Sequence, residues 1–204
     1  AFLPPALLSI LPAGSPIGLR HLITGGDVCV PQVIARYSRQ CRMHNIYGPT
    51  EATVLASTCT FEPGASNRRL GKPIANTHVF ILDDALMPVL EQTPGELYLC
   101  GPGVGLGYLN NPPLTDERFV SLALPDGRAL RAYRTGDIGK WTQDGLELCG
   151  RRDNQVKIRG FRVEPAEIEH CPRASGLYNQ PAVVIAHLRG VLSFARPPRH
   201  PPRP

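Results

Sequence analysis

Short apolar runs punctuated by Gly and Pro make up most of the chain. Residues 19–23 are mostly apolar and open into Thr24-Gly25-Gly26-Asp27, which predicts a buried strand ending on a loop. Residues 31–42 follow with helical spacing, placing Val33, Ile34 and Tyr37 on one side. Pro31 stands in the first turn and basic residues gather towards the end, as a helix start and stop require. Residues 43–47 then predict a second strand. Strand, helix and strand in this order are the grammar of an α/β fold, where ligands collect at the carboxyl ends of strands.

From residue 70 to residue 150 the texture changes to short strands of a β-rich unit. Residues 79–82, 95–100 and 146–148 each predict one strand, bounded by turn-forming residues. Asn111-Pro112-Pro113 ends one segment, and Thr115-Asp116-Glu117 predicts a capped helical turn leading to Phe119. Val156, Ile158 and Phe161 alternate with charged positions, as in a half-exposed strand or hairpin. Pro165 and the acids after it predict a helix start.

Composition narrows the functional classes. Hydrophobic residues make up 42% and charged residues 19% of the chain, an ordinary globular balance. The net charge of +5 invites a nucleic-acid role until it is located. All 17 acidic residues lie at or before Glu169, as do all but five of the 22 Lys and Arg. Those five are Arg173, Arg189, Arg196, Arg199 and Arg203, so the body is neutral and the excess belongs to the end of the chain. That pattern argues against nucleic acid as a partner. No apolar run reaches membrane-spanning length, and the apolar start lacks a basic leader region. The six cysteines are widely spaced and several sit in apolar runs, which predicts buried free thiols and a cytoplasmic location. Without an initiator Met, the chain is expected to begin inside a longer one.

Three stretches carry candidate chemistry. Asn45-Ile46-Tyr47-Gly48-Pro49-Thr50-Glu51 sets a π face, a hydroxyl and a carboxylate around a Gly-Pro turn. Read alone, it is either a surface turn or a site. Tyr133-Arg134-Thr135-Gly136-Asp137 presents a carboxylate beside a turn glycine, suited to a pair of ribose hydroxyls. The third runs from Gly150 through Arg151, Arg152, Asp153 and Lys157 to Glu164, and alone reads as a solvated basic strand. Gly101, Gly103, Gly105 and Gly107 stand at every second position. They match neither G-x-G-x-x-G nor a P-loop, and predict close backbone packing.

In this order, and with Gly95-Glu96-Leu97-Tyr98-Leu99-Cys100-Gly101 and Tyr108-Leu109, these stretches resemble the adenylation domains of nonribosomal peptide synthetases, within the adenylate-forming ligase superfamily. The resemblance implies an α/β fold: the C-terminal part of the adenylate-forming core, a βαβ subdomain and a distorted β-barrel, leading into a small α+β subdomain. Residues 1–152 would be a partial core (1–60 βαβ, 61–152 β-rich). Residues 153–190 would start the small subdomain, and 191–204 would be a disordered Pro/Arg-rich tail. Cut this way, the first piece is expected to lack a sheet partner along its edge.

The activity implied is formation of an aminoacyl-AMP from ATP and an amino acid, then transfer to a carrier-protein thiol. By resemblance, Tyr47 stacks on adenine, with Asn45 and the Ile46 backbone at its edge. Thr50 meets the α-phosphate, Glu51 holds Mg²⁺, Asp137 takes the ribose hydroxyls and Arg151 reaches the ribose and phosphate side. Asp153 is the hinge, and Lys157, Arg159 and Gly160 face the site after rotation. Phe2, Ile23, Gly25, Ile46, Val54 and Leu55 line the substrate pocket, which favours an apolar amino acid. Partners implied are a phosphopantetheine-bearing carrier domain and a condensation domain.

Departures bear on activity. The phosphate loop and the C-terminal catalytic lysine of the resembled family are absent from these 204 residues, so the piece alone is expected to be inactive. Gly105-Leu106 stands where a cation is usual in that family, and the stretch from Gly145 to Gly150 is one residue shorter than usual there, which predicts a shifted strand register or a shortened turn. The alternatives are an acyl-CoA or aryl-acid ligase and a non-catalytic nucleotide-binding relic.

Overall fold

The computed structural model describes residues 1–12, 18–124, 127–153, 155–158 and 161–163. A short helix, α1 (Pro5–Ile10), precedes β1 (His21–Gly25), α2 (Pro31–Tyr37) and β2 (Arg42–Tyr47). β1 and β2 pair in parallel around the α2 crossover, as the βαβ reading requires. The helix is shorter than the expected 31–42. Gln40 and Cys41 both donate their N–H to the Tyr37 carbonyl, at 3.0 Å each, which closes the helix in a tight turn. Arg42 is thereby released to pair with His21 at the start of β2.

The remaining strands are β3 (Ser57–Phe61), β4 (Arg69–Pro73), β5 (His78–Leu82), β6 (Gly95–Cys100), β7 (Phe119–Ala123), β8 (Ala129–Thr142) and β9 (Gly145–Arg151), with α3 (Pro112–Arg118) before β7. Together they form one sheet of nine strands in the order β1-β2-β3-β4-β9-β8-β6-β5, with β7 paired on β8. It is a distorted mixed sheet and does not close into a barrel. Apolar side chains fill it from both faces. Leu97 and Leu99 of β6 join one core with Leu70, Ile81 and Leu146. Tyr98 and Cys100, pointing the other way, join a second with Leu82 and Leu122. Burial on both sides explains why β6 is apolar without a break from Leu97 to Cys100.

A third core holds α1 and α2 on the sheet through Leu8, Leu22, Val33, Ile34, Tyr37, Met43 and Phe61. The exposed edge expected for the first piece is partly covered. Leu3 donates to the Ile23 carbonyl at 2.9 Å and Ile23 to the Ala1 carbonyl at 2.8 Å, adding residues 1–3 beside β1.

α3 begins at the two prolines that were expected to end a segment. Asn111 caps it, its side chain accepting from Leu114 N, and the fixed φ of proline suits the first helical turn. The β8–β9 ladder shifts register beside Gly150. Ile138 pairs with Gly150 but Gly139 with Leu148, leaving Cys149 as the extra residue. Cys29, Cys41, Cys59, Cys100 and Cys149 are free thiols, and burial pushes Cys29 up to about 12 and Cys100 up to about 11.

The chain divides into two units, Ala1–Asp153 and Asn154–Pro204. In the second, β10 (Val156–Ile158) and β11 (Phe161–Val163) form an antiparallel hairpin, as the alternation implies. The helix expected from Pro165, the tail, Arg159, Gly160 and Cys171 lie outside the described residues.

Candidate functional site

The Thr135-Gly136-Asp137 stretch is not a turn but a bulge inside the 14-residue strand β8. Glu96 pairs with Ile138 and Tyr98 with Arg134, so three residues of β8 face Leu97 alone. The Thr135 hydroxyl holds the bulge, donating to the Leu97 carbonyl at 2.9 Å and accepting from Asp137 N at 3.0 Å. Gly136 sits at φ +76°, and a Cβ there would stand 2.7 Å from Asp153 Oδ2 and 2.9 Å from Arg151 Nη2. Only glycine meets both demands.

The bulge brings Asp137 to the end of β2. Its Oδ2 accepts from the Tyr47 hydroxyl at 2.6 Å, and its Oδ1 accepts from Arg151 Nη1 at 2.6 Å. Arg151 also grips Asp153 with two parallel bonds, Nε to Oδ1 at 2.7 Å and Nη2 to Oδ2 at 2.8 Å. Arg118 stands 3.7 Å from Asp153 Oδ2. Tyr47 and Asp137 are 8% and 7% exposed, so these charges interact through little water. Burial, reinforced by the charge and hydrogen bond of Asp137, raises the Tyr47 phenol well above its usual range. Burial alone would lower Arg151, but its bonds to Asp153 and the charge of Asp137 carry it above its ordinary value.

The sign of a pH effect follows. A phenol held neutral by folding contributes stability that is complete below about pH 10 and lost as the pH rises further. Tyr47→Phe is therefore expected to cost about 1.5–3 kcal/mol near neutrality, the worth of a hydrogen bond to a charged group. Denaturant midpoints of the two proteins should converge above pH 10.

Glu51 belongs to a second group. The Thr50–Ala52 turn follows the Gly48-Pro49 break, and Glu51 Oε1 accepts from the Tyr108 hydroxyl at 2.6 Å. Tyr133, four residues before Asp137 on β8, brings its own hydroxyl to 3.3 Å from that of Tyr108. Thr50 is exposed at the start of the turn.

The residues read as a substrate pocket divide in two. Phe2 bridges to Ile23, and Gly25 pairs with Ile46, so these four share the sheet face opposite Leu22 and Met43. No described helix covers them, and Phe2 is 53% exposed. Val54, 68% exposed, and Leu55 lie in the return turn whose next residue, Ala56, donates to the Tyr47 carbonyl at 2.8 Å. Asn45 points inward beside Tyr47 and donates from its side-chain amide to the Arg69 carbonyl at 2.8 Å, tying β2 to β4.

A second buried carboxylate was given no role by the sequence reading. Glu96, an acid in an apolar run, is 2% exposed and accepts from Arg134 through two bonds of 3.0 Å. Arg152 donates to the same carboxylate at 3.0 Å and pairs with Asp84. Arg151 and Arg152 thus tie the end of β9 to Asp137, Glu96 and Asp84.

An aromatic ring, a buried carboxylate and an arginine thus meet where the ends of β2 and β9 reach the bulge of β8. The family model described as "AMP-binding enzyme" matches residues 2–109, and the chain belongs to that family. Gramicidin S synthase 2 of Brevibacillus brevis is 48% identical over 74% of this chain and 4% of its own. Bacitracin synthase 3 of Bacillus licheniformis is 43% identical over 83% of this chain and 3% of its own. This chain therefore spans a few per cent of the length of these relatives.

Among solved structures, an NRPS protein containing adenylation and PCP domains, bound to a vinylsulfonamide inhibitor, aligns with a TM-score of 0.81 and 31% identity. That alignment covers 94% of this chain and 35% of the other. An artificially fused adenylation-PCP di-domain from Klebsiella oxytoca aligns with a TM-score of 0.79 and 27% identity, covering 93% and 40%.

Proposed function

We propose that this chain provides the nucleotide-facing part of an amino-acid-adenylating site in nonribosomal peptide synthesis. The observation that carries the reading is the Asp137 carboxylate, held on one side by Tyr47 and on the other by Arg151. A carboxylate has about four lone-pair positions, and two bonds leave acceptor capacity for the vicinal hydroxyls of a ribose. Tyr47 and Ile46 lie at the adenine, with Asn45 supporting β2 from within. Arg151 serves the ribose and phosphate side. Asp153, gripped by Arg151, is the pivot from which residues 154 onward turn, and Lys157, Arg159 and Gly160 belong to the part that turns. Residues 1–152 then act as core, 153–190 as the start of the turning subdomain and 191–204 as a tail.

The chemistry asked of these residues is attack of an amino-acid carboxylate on the α-phosphate of ATP, with pyrophosphate leaving. Such transfers depend on positioning and charge neutralisation. Thr50, exposed at the head of its turn, meets the α-phosphate. For Mg²⁺ the donor set fits. Glu51 supplies a carboxylate and Thr50 a hydroxyl, and among the described residues no cluster of three His, Cys, Asp or Glu offers a full cage. Mg²⁺ characteristically takes one or two carboxylates and fills its shell with water and substrate phosphate. When bound, it neutralises phosphate charge.

Phe2, Ile23, Gly25 and Ile46, with Val54 and Leu55, form the wall that takes an apolar side chain. Partners are a carrier domain bearing phosphopantetheine and a condensation domain. No helix among the described residues is long and apolar enough to cross a membrane, and free thiols, buried at Cys29 and Cys100 and half-buried at Cys41, Cys59 and Cys149, agree with a cytoplasmic setting.

Titration calorimetry with a panel of acyl-sulfamoyl adenosines tests substrate class. Leucyl and phenylalanyl analogues should bind about 10-fold or more tighter than aspartyl and lysyl ones, since an unpaired charge is costly on an apolar wall. Tighter binding of benzoyl or octanoyl analogues would assign the chain to aryl-acid or acyl-CoA ligases instead.

A further inference from the structure

The alternating glycines from Gly101 to Gly107 have no part in the reading above, yet they lie directly on the turn that carries Glu51. Gly105 N donates to the Glu51 carbonyl at 2.8 Å, and the Thr53 hydroxyl donates to the Gly103 carbonyl at 2.7 Å. The outer side of the stretch is tied down by Arg131, whose Nη2 donates to the Leu106 carbonyl at 2.6 Å while its guanidinium lies over the Phe119 ring at 4.9 Å. The stretch ends on Tyr108, which is held at three points. Its N–H donates to the Thr115 hydroxyl at 2.9 Å, and its ring meets Phe119 edge-on at 5.5 Å. Its hydroxyl lies between Glu51 at 2.6 Å and Tyr133 at 3.3 Å.

Chemistry fixes the direction of the first bond. A phenol has one proton, and an ionised carboxylate only accepts, so Tyr108 donates to Glu51. The Tyr108 oxygen is then left as the acceptor towards the Tyr133 hydroxyl, 3.3 Å away. A bond of 2.6 Å to a charged acceptor is a strong one and sets where Glu51 Oε1 points. Phe119 lies 5.2 Å from the Tyr133 ring as well, so both phenols are braced by one aromatic side chain.

We infer that Tyr108, delivered by the glycine stretch and oriented by Tyr133, is a positioning residue that sets the Glu51 carboxylate for a nucleotide-bound divalent cation. This rests on the proposed role of Glu51 as the cation ligand. Groups that hydrogen-bond a metal ligand fix its orientation, and losing one typically costs about 10- to 100-fold in metal affinity. A purely structural link between the glycine stretch and the turn would lower stability and leave cation affinity alone.

The test uses the whole chain, with Mn²⁺ and ATP as the probe, and reads bound Mn²⁺ by electron paramagnetic resonance. Thermal melts by circular dichroism run alongside. Tyr108→Phe keeps the ring and removes the donor, and is expected to weaken Mn²⁺ binding about 10- to 100-fold, with ATP affinity in the absence of metal unchanged. Glu51→Gln checks the reading beneath it. If Glu51→Gln abolishes Mn²⁺ binding and Tyr108→Phe binds as the wild type does, the positioning role is wrong and the cation role stands. Wild-type-like Mn²⁺ binding in Glu51→Gln, or none in the wild type, removes both. Should Tyr108→Phe fail to fold, Tyr133→Phe carries the test, since it spares the bond to Glu51. Weaker Mn²⁺ binding there supports the relay and unchanged binding overturns it.

Discussion

Asp137→Ala is expected to lower stability by about 3 kcal/mol, the low end of what is lost when one partner of a buried ion pair is removed. Tyr47 then keeps a buried hydroxyl without its acceptor. Arg151 retains only Asp153 and the Thr135 carbonyl, the latter at 3.3 Å. The grip on Asp153, with bonds of 2.7 and 2.8 Å, is why the loss falls at the low end. For a chain of this size the loss corresponds to a fall of about 6–12 °C in melting temperature. Circular dichroism melts check it. Asp137→Asn keeps an acceptor for Tyr47 and should cost about half as much, because one hydrogen bond survives while the ion pair does not. Equal melting temperatures for wild type and Asp137→Ala would mean that the cluster is not formed in solution.

Gly71→Ala is the second large effect, and it acts on the sheet. β4 pairs with β3 through Ser57 and Thr58, and with β9 through Glu147 and Leu146, so it joins the βαβ part to the strands carrying Asp137 and Arg151. Gly71 sits at φ +80°, and a Cβ there would fall on the Thr58 carbonyl oxygen and 2.6 Å from Cys59 Cβ. Backbone strain and overpacking add to about 4 kcal/mol, each being worth about 1–3. Gly64 is the control. Its φ is +87° with nothing near a Cβ, so Gly64→Ala should cost only about 1–2 kcal/mol from the left-handed conformation itself. Urea unfolding of the two variants separates the terms. Equal midpoints would show that the close approach at Gly71 is relieved at no cost.

Legibility in the sequence followed the length scale of each interaction. The βαβ unit and β6 were readable because their signals are local: helical spacing in one, a mostly apolar run bounded by glycines in the other. The span 95–100 coincides with the strand observed. β8 was not readable. Its bulge interrupts the two-residue period, and Gly136 made a mid-strand kink look like a turn.

The candidate site shows the same limit. Tyr47 and Asp137 are 90 residues apart in the chain, and Glu51 and Tyr108 are 57 apart. No periodicity links them. Asp137 and Arg151 were reached through the ordered resemblance to adenylation domains, while Glu96, Arg134 and Arg152 stood inside the quoted motifs with no role assigned. An acid inside an apolar strand is a usable signal, because a buried carboxylate demands a cation. The partners of Glu96 lie 38 and 56 residues away, where composition alone could not choose between them.

The central claim is that Asp137 receives the hydroxyls of a ribose. Titration calorimetry of the chain with AMP and with 2′,3′-dideoxyadenosine monophosphate tests it directly. AMP should bind saturably and the dideoxy nucleotide about 10- to 100-fold more weakly, the worth of hydrogen bonds to a charged acceptor. In Asp137→Asn that preference should shrink towards unity. Equal affinity of the wild-type chain for the two nucleotides would contradict the account.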